Sequence, residues 1–558
     1  MLKSELEKIL GYEVEATENS DFGDYSSNVA LSHKPPREFA EMELVKLKAN
    51  KKLNEFVDKI EIAGPGFINF WLKRDVLVGN LTQIVEEKEK YGTNDTGKGK
   101  LAIVEYSSPN IAKPFTVGHL RSTIIGDAVA NLLTASGWKV MRDNHLGDWG
   151  TQFGKQIYAI KAWGNEEEIA KSENPVKELV ALYVKFHEEA EKDPSIEDGA
   201  RAWFKKLEDG DQEAKRLWQK CIDWSFVEFD KIYSTLNVSF SDEFEGGRGL
   251  GESFFESRMG IVIDELTKKR LLKVGKEGAK LVFFPKDKYP ALMIVKKDGA
   301  TLYATRDLAT DKYRKEKYDP DLIINEVGSE QALYFRQIYE TEKLLGWFKD
   351  EQRVHIGHGL IRFKEGKMST RKGNVIWMEE VLNEALSRAK KLGSDSEKLI
   401  KEVAIGALKY NDLKRDSKTD IVFDWDEILN MEGNSGPYLQ YTVARTNSVL
   451  SKARSTMHDA RDVSDFDIRT SNLNDEELGV LRTLVRFPEV IATASKNYSP
   501  NLLCNYLYDL AQKYNGFYNA HKIIGGENEE FKLELTKGVG QVLKNGLKLL
   551  GIQTPEKM

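Results

Sequence analysis

The residues of this chain best suited to phosphate chemistry lie in two stretches far apart in sequence. The first runs Ser107-Ser108-Pro109-Asn110-Ile111-Ala112-Lys113-Pro114-Phe115-Thr116-Val117-Gly118-His119 and leads into a helical pattern. At a helix start, free backbone N–H groups and the positive end of the dipole favour phosphate. Gly118 lets a nucleotide approach the backbone, His119 can donate to a phosphate oxygen, and Lys113 adds charge beside it. Alone, a Gly-His pair at a helix start reads as a capping or core feature. The second stretch, Glu365 to Asn374, is a cation-rich loop carrying Lys367, Met368, Ser369, Arg371 and Lys372. Alone it reads as a solvated turn. Downstream of a helix-terminus phosphate site, a mobile basic loop is what an ATP-cleaving enzyme needs to hold leaving pyrophosphate.

Each stretch needs elements to position it. Residues 101–106 form a short apolar run between turn signals, as a buried parallel strand does. After the Pro-containing loop, Leu120, Ile124, Ala128 and Leu132 recur at a helical period until Ser136-Gly137. Strand, loop and helix in this order open a doubly wound parallel sheet, an α/β fold of the Rossmann type. Residues from about 155 to 270 are charged and helical with no phosphate loop, and read as an insertion between two halves of that sheet. Strand-like runs return at 291–295 and 322–324, and beyond Asn374 the pattern is helical to the end. Upstream, Gly64-Pro65-Gly66 precedes the alternating run 67–72 in a small α/β unit, and the Gly- and Lys-rich 91–100 reads as a linker. The expected domains are 1–92, 98–378 with an insertion at about 155–290, and an all-α 379–558.

Composition agrees with several cores, since 558 residues exceed the roughly 250–300 that one core sustains. Hydrophobic residues at 41% and charged ones at 31% exclude disordered and fibrous classes. Cys221 and Cys504 fit neither a disulfide framework nor a zinc site, and the charge-interleaved N-terminus differs from a secretory signal. With no apolar run near the ~20 residues needed to span a bilayer, a cytoplasmic setting without membrane contact is expected. The net charge of -7 supplies no general basic footprint, so any nucleic-acid site must be a local patch. His355 and His358 have a ligand spacing, but no third or fourth ligand lies near them in sequence. They read as strand-to-loop residues beside the nucleotide, and no zinc is expected.

Val117-Gly118-His119 after Pro109 resembles the HIGH motif of class I aminoacyl-tRNA synthetases, and Lys367-Met368-Ser369-Thr370-Arg371 resembles their KMSKS loop. The strings 107–114, 118–123, 147–154 and 368–373 resemble the arginyl members specifically, and the likeness extends to Met558. Two positions depart from the class pattern. Thr116 stands where the first HIGH histidine is usual, and Thr370 where the second KMSKS lysine is usual. The resemblance implies that Lys113 supplies the missing cation. It also implies catalysis by His119, Lys113, Lys367 and Lys372, and ATP contacts from Ser107, Pro109, Thr116, Gly118, His119, Met368 and Ser369.

A guanidinium carries five donors and a fixed charge, so its pocket should offer carboxylates and amide oxygens. Tyr303 and Asp307 are four apart, on one face if their stretch is helical; alone such a pair is an exposed acid with a packed tyrosine. The resemblance places both on the guanidinium side with Gln331 nearby, and Glu105 and Asn110 on the other side of the amino acid. The C-terminal helices resemble an anticodon-binding domain, with Tyr438, Gln440, Arg445, Lys513 and Asn515 as tRNA contacts. The N-terminal unit resembles the domain that reaches the corner of the tRNA. Also implied are ATP with Mg2+ as substrate, the 2′-hydroxyl as first acceptor, tRNA bound before arginine is activated, and a monomer. Two other readings stay open: another class I ligase, and a catalytically silent tRNA-binding paralogue.

Overall fold

The computed structural model describes residues 2–17, 19–275, 278–363, 376–393, 396–456 and 473–558. The chain divides into two compact units, one of residues 95–429 with 498–500, the other of residues 1–94, 430–497 and 501–558.

The first unit is built on a parallel sheet of four strands, β1 (Leu101–Glu105), β2 (Lys139–Asp143), β3 (Leu322–Gly328) and β4 (Arg353–His358), in the order β4-β3-β1-β2. The chain moves outward from β1 to β2, then returns to β3 on the other side. The crevice beyond the carboxyl ends of β1 and β3 is therefore a topological switch point, where doubly wound sheets bind ligands. Glu105 pairs with Asp143 on one side and Asn325 on the other, which brings three polar residues to the strand ends. The strand and helix read from residues 101–106 and from Gly118 onward are β1 and α1 (Val117–Ala135). Helix α1 stops at Ser136 because Gly137 turns into the left-handed region, φ +85°.

The insertion opens with helices from Thr151, includes the long α2 (Gln212–Leu236), and has its last helix at Met259–Lys268. It is not helical throughout. Leu272–Val274, Lys280–Val282 and Leu292–Val295 form their own antiparallel sheet, so the run expected at 291–295 pairs with 280–282 and not with the central sheet. A four-residue apolar run signals a buried strand but carries no information on its partner. After it come α3 (Tyr303–Tyr318) and α4 (Ala332–Leu345), which pack with Ile103 and Ile323 in one apolar cluster. Helices Met378–Lys390 and α5 (Glu397–Leu413) also belong to this unit, in a stretch that the sequence reading assigns to the C-terminal domain. Arg121 of α1 is fully buried and donates to Asp412 of α5 and to the carbonyls of Ser417 and Thr419.

The second unit combines a four-stranded antiparallel sheet, which includes Val57–Ala63 and Phe67–Leu72, with helices such as Gly436–Thr456 and Glu529–Leu549. Polar contacts lock the two ends of the chain together here. Tyr25 donates to Glu489 at 2.6 Å, and Arg482 pairs with Asp24 at 3.0 Å. Among the described residues, no helix is long and apolar enough to cross a membrane.

Candidate active site

The loop after β1 is held in a costly conformation. Ser107, Ser108 and Ala112 all have positive φ, at 72°, 47° and 57°, where non-glycine residues are strained. Contacts from three elements hold it there. Ser107 N–H donates to Ser122 of α1 at 2.9 Å, and Ser108 N–H to Asn144 at 3.1 Å. Ala112 N–H donates to Ser225 of α2 at 2.9 Å. Pro109 is buried and acts through its carbonyl, which accepts from Gly147 N–H. A Cβ at Gly147 would lie 2.4 Å from Asn110 Oδ1, so a larger residue there would displace the Asn110 side chain.

Thr116 caps α1 in extended conformation, and its N–H donates to His119 Nδ1 at 3.0 Å. With Nδ1 accepting, the ring proton sits on Nε2, which is left as a donor. Burial pushes the imidazole down to about 4, so His119 is neutral near pH 7 and acts by hydrogen bonding. The Thr116 hydroxyl lies 3.1 Å from the same Nδ1 and so orients His119. A Cβ at Gly118 would meet only that hydroxyl, at 3.4 Å, so the space above the helix start is open.

Facing this terminus across the crevice is an acidic chamber. Glu105, Asn110, His119, Asp307 and Gln331 line one cavity of about 460 Å³ together with residues from the end of β3. That volume lies within the range of small-molecule sites. Helix α3 presents Asp307, Asp311 and Arg314 on one face. The buried Arg314 guanidinium donates to Glu105 at 2.5 Å, Asp143 at 2.6 Å and Asp311 at 3.0 Å. Burial alone would push Glu105 up, and the charges of Arg314 and His145 together hold the carboxyl below its usual range. Asp307 has no such cation. It accepts from the Tyr334 hydroxyl, and burial pushes its carboxyl up to about 6.

Tyr303 is 60% exposed, outside the cavity wall, and its ring packs on Tyr334 at 5.0 Å; it reaches Asp307 only through that neighbour. Lys113 is exposed and also off the wall. Lys367, Met368, Ser369 and Lys372 lie outside the described residues. His355 and His358 go to different partners. His355 bonds the Val327 carbonyl and stacks on Phe335, while His358 pairs with Glu326 at 2.8 Å and lines the cavity. Among the described residues no group of three or more His, Cys, Asp or Glu gathers to hold a metal.

In the second unit the expected tRNA contacts divide. Gln440 is fully buried and donates to the Gln553 carbonyl. Asn515 is spent on Arg445, Tyr438 and Thr442, all within 3.0 Å. Lys513 pairs with Asp509 at 2.7 Å. Arg445, by contrast, stands over Tyr441 and Tyr518 in a hollow of about 540 Å³ that also gathers Lys452, His521 and Lys522.

The family described as tRNA synthetases class I (R), catalytic domain, matches residues 80–425, the arginyl tRNA synthetase N-terminal domain matches 1–72, and the DALR anticodon binding domain matches 439–558. The chain belongs to the class I arginyl-tRNA synthetases. It is 43% identical to the arginine–tRNA ligase of Clostridium kluyveri, covering 91% of this chain and 89% of that protein. With the Clostridium perfringens arginine–tRNA ligase it shares 41% identity over 98% and 96%. The crystal structure of the Plasmodium falciparum arginyl-tRNA synthetase superposes with a TM-score of 0.81 at 25% identity, covering 100% and 99%.

Along the wall of this cavity the sequence reading missed Glu252, Glu326 and His145, whereas His358, read as lying beside the nucleotide, is on the wall. The signal for Glu252 was present in the glycine-dense run 246–251. Gly249 adopts φ +97°, and a Cβ there would come within 1.9 Å of the Asn144 carbonyl oxygen. This close approach carries Glu252 to the cavity beside His145. Sequence reading also passed over Tyr441 and Tyr518 as individual residues.

Proposed function

We propose that the enzyme activates L-arginine with ATP to arginyl-adenylate, releasing pyrophosphate, and then transfers arginine to the 3′-terminal adenosine of its tRNA. One observation carries this: a helix terminus with a neutral, donating His119 opens onto the same cavity as an acidic chamber whose Asp307 lacks a cation. ATP phosphates suit the first wall and a guanidinium the second. The arginine carboxylate then lies between them, placed for in-line attack on the α-phosphate. Side chains do little covalent work, and positioning with charge stabilisation dominates. Lysine, a compact ammonium, would leave several acceptors unpaired, the mismatch that gives discrimination without editing.

In this reading Glu105, Asn110, Asp307 and Gln331 hold arginine. Ser107, Pro109, Thr116 and Gly118 shape the ATP wall, Lys113 adds charge, and the 367–372 loop holds pyrophosphate. The 2′-hydroxyl accepts arginine first, and tRNA binds before activation. Mg2+ enters as a companion of the ATP phosphates. The N-terminal domain contacts the tRNA corner. In the C-terminal domain, Arg445 with Tyr441 and Tyr518 suits stacking of an unpaired base. The enzyme works as a cytoplasmic monomer.

The test is to charge total tRNA with each of the twenty labelled amino acids. Only arginine is expected on tRNA; charging of another amino acid, or none, overturns the reading. A second result concerns pH. An arginine cation needs ionised Asp307, whose carboxyl takes up a proton as pH falls through about 6. Arginine affinity is therefore expected to weaken as pH falls through about 6, by about tenfold per unit from this group alone. Calorimetric titration across pH 5–8 checks it, and affinity that strengthens on acidification contradicts it.

A further inference from the structure

His145 follows β2 and takes no part in holding ATP or arginine in the roles assigned above. Its Nδ1 lies 3.0 Å from the Leu250 carbonyl oxygen, which accepts only and so fixes the proton on Nδ1. Its Nε2 is buried and has no hydrogen-bond partner. The ring lines the same cavity as Glu105 and Asp307. Charged groups face it from every element packed around it: Glu105 of β1, Asp143 of β2, Asp148 from the following loop, Glu252, and Asp307 and Arg314 of α3.

The fixed cations nearby are already engaged. Arg314 serves Glu105, Asp143 and Asp311, while Arg306 serves Glu252 and Glu256. Asp307 has only a tyrosine hydroxyl. The chamber thus holds more buried negative charge than its arginines balance, and His145 sits in its wall with Nε2 unpartnered.

We propose that His145 is a positioning residue that stands in for the substrate's guanidinium, holding a proton on Nε2 while the chamber is empty and releasing it to solvent when arginine enters. The inference rests on the reading of this cavity as the arginine site. Burial would pull the imidazole down, but Glu105 and Asp307 outweigh it and hold it above its ordinary value. A fixed positive charge entering beside those carboxylates reverses the balance. The ring is left as the neutral Nδ1–H tautomer that the Leu250 carbonyl already selects. The exchange favours a ligand that brings a permanent charge. Citrulline, the neutral ureido analogue of arginine, has none and gives no compensation for the proton.

Two-bond proton–nitrogen correlations of the histidine rings in the full-length enzyme read both protonation and tautomer, and the spectrum of His145→Gln identifies the His145 signal. The expected result at pH 7 is a substantially protonated His145 ring in the free enzyme and a neutral Nδ1–H ring with saturating arginine. Citrulline is expected to leave the protonated ring in place. In Asp307→Asn the free-enzyme ring is expected to titrate at lower pH than in wild type. If calorimetry shows arginine bound while His145 keeps the same protonation, the inference falls and the reading of the pocket stands. Arginine binding that is unaltered in Asp307→Asn overturns the reading of the pocket, and the inference with it.

Discussion

Asp307→Asn is expected to lower kcat/KM for arginine by about 10²-fold, with the loss in arginine KM and the ATP KM little changed. The substitution keeps the volume and one acceptor for Tyr334, but removes a chamber carboxylate that no arginine of the protein pairs with among the described residues. Truncating one partner of a buried, hydrogen-bonded charge pair costs about 2–5 kcal/mol, and about 3 kcal/mol corresponds to roughly 10²-fold. Stability should move the other way. Burial raises this carboxyl, so ionising it at pH 7 costs the folded state free energy that a neutral amide does not. The Tm of the free variant is therefore expected to match or exceed wild type, the usual opposition between function and stability at a strained site. Aminoacylation kinetics beside thermal unfolding check this. A fall in Tm that parallels the lost activity would assign Asp307 a structural role.

The second large effect is expected at His119. His119→Asn shortens the side chain and withdraws the Nε2–H donor from the nucleotide side. A loss of about 10²–10³-fold in kcat is expected with a modest change in ATP KM, the size measured when one preorganised donor to developing charge is removed. Because burial keeps the ring neutral down to about 4, wild-type kcat should show no imidazole titration of this group between pH 5.5 and 8. Single-turnover adenylate formation across that range, in wild type and variant, measures both. A limb near pH 6.5 that vanishes with the histidine would mean that His119 works as an acid, contrary to its geometry here.

Much of the catalytic unit was legible because its signals are local. The apolar run at 101–105, the period of Leu120, Ile124, Ala128 and Leu132, and the stop at Gly137 each report backbone preferences within a few residues. Glu105, Asn110, His119, Asp307 and Gln331 were reached by motif likeness, and all five line one cavity. Tyr303 was not brought in with them, because its position on α3 turns the ring outward onto Tyr334. Gln440 and Asn515 fared differently again. Their residue types suit base recognition, but burial between helices turned both to holding Gln553, Tyr438 and Arg445 in place. A polar residue in a helical pattern does not announce whether its face meets solvent or another helix.

By itself the sequence determined the family, the order of strand, phosphate loop and helix, and which residue types were available for phosphate and guanidinium. These are properties of short segments, set by spacing and backbone preference. Only the tertiary structure decided how charge is distributed in the site. Arg314 satisfies Glu105, Asp143 and Asp311, residues as far as 209 positions away, and that leaves Asp307 without a cation and His145 among carboxylates. Coulomb energy depends on distance and local dielectric, and neither exists until the sheet and its insertion have closed around the crevice.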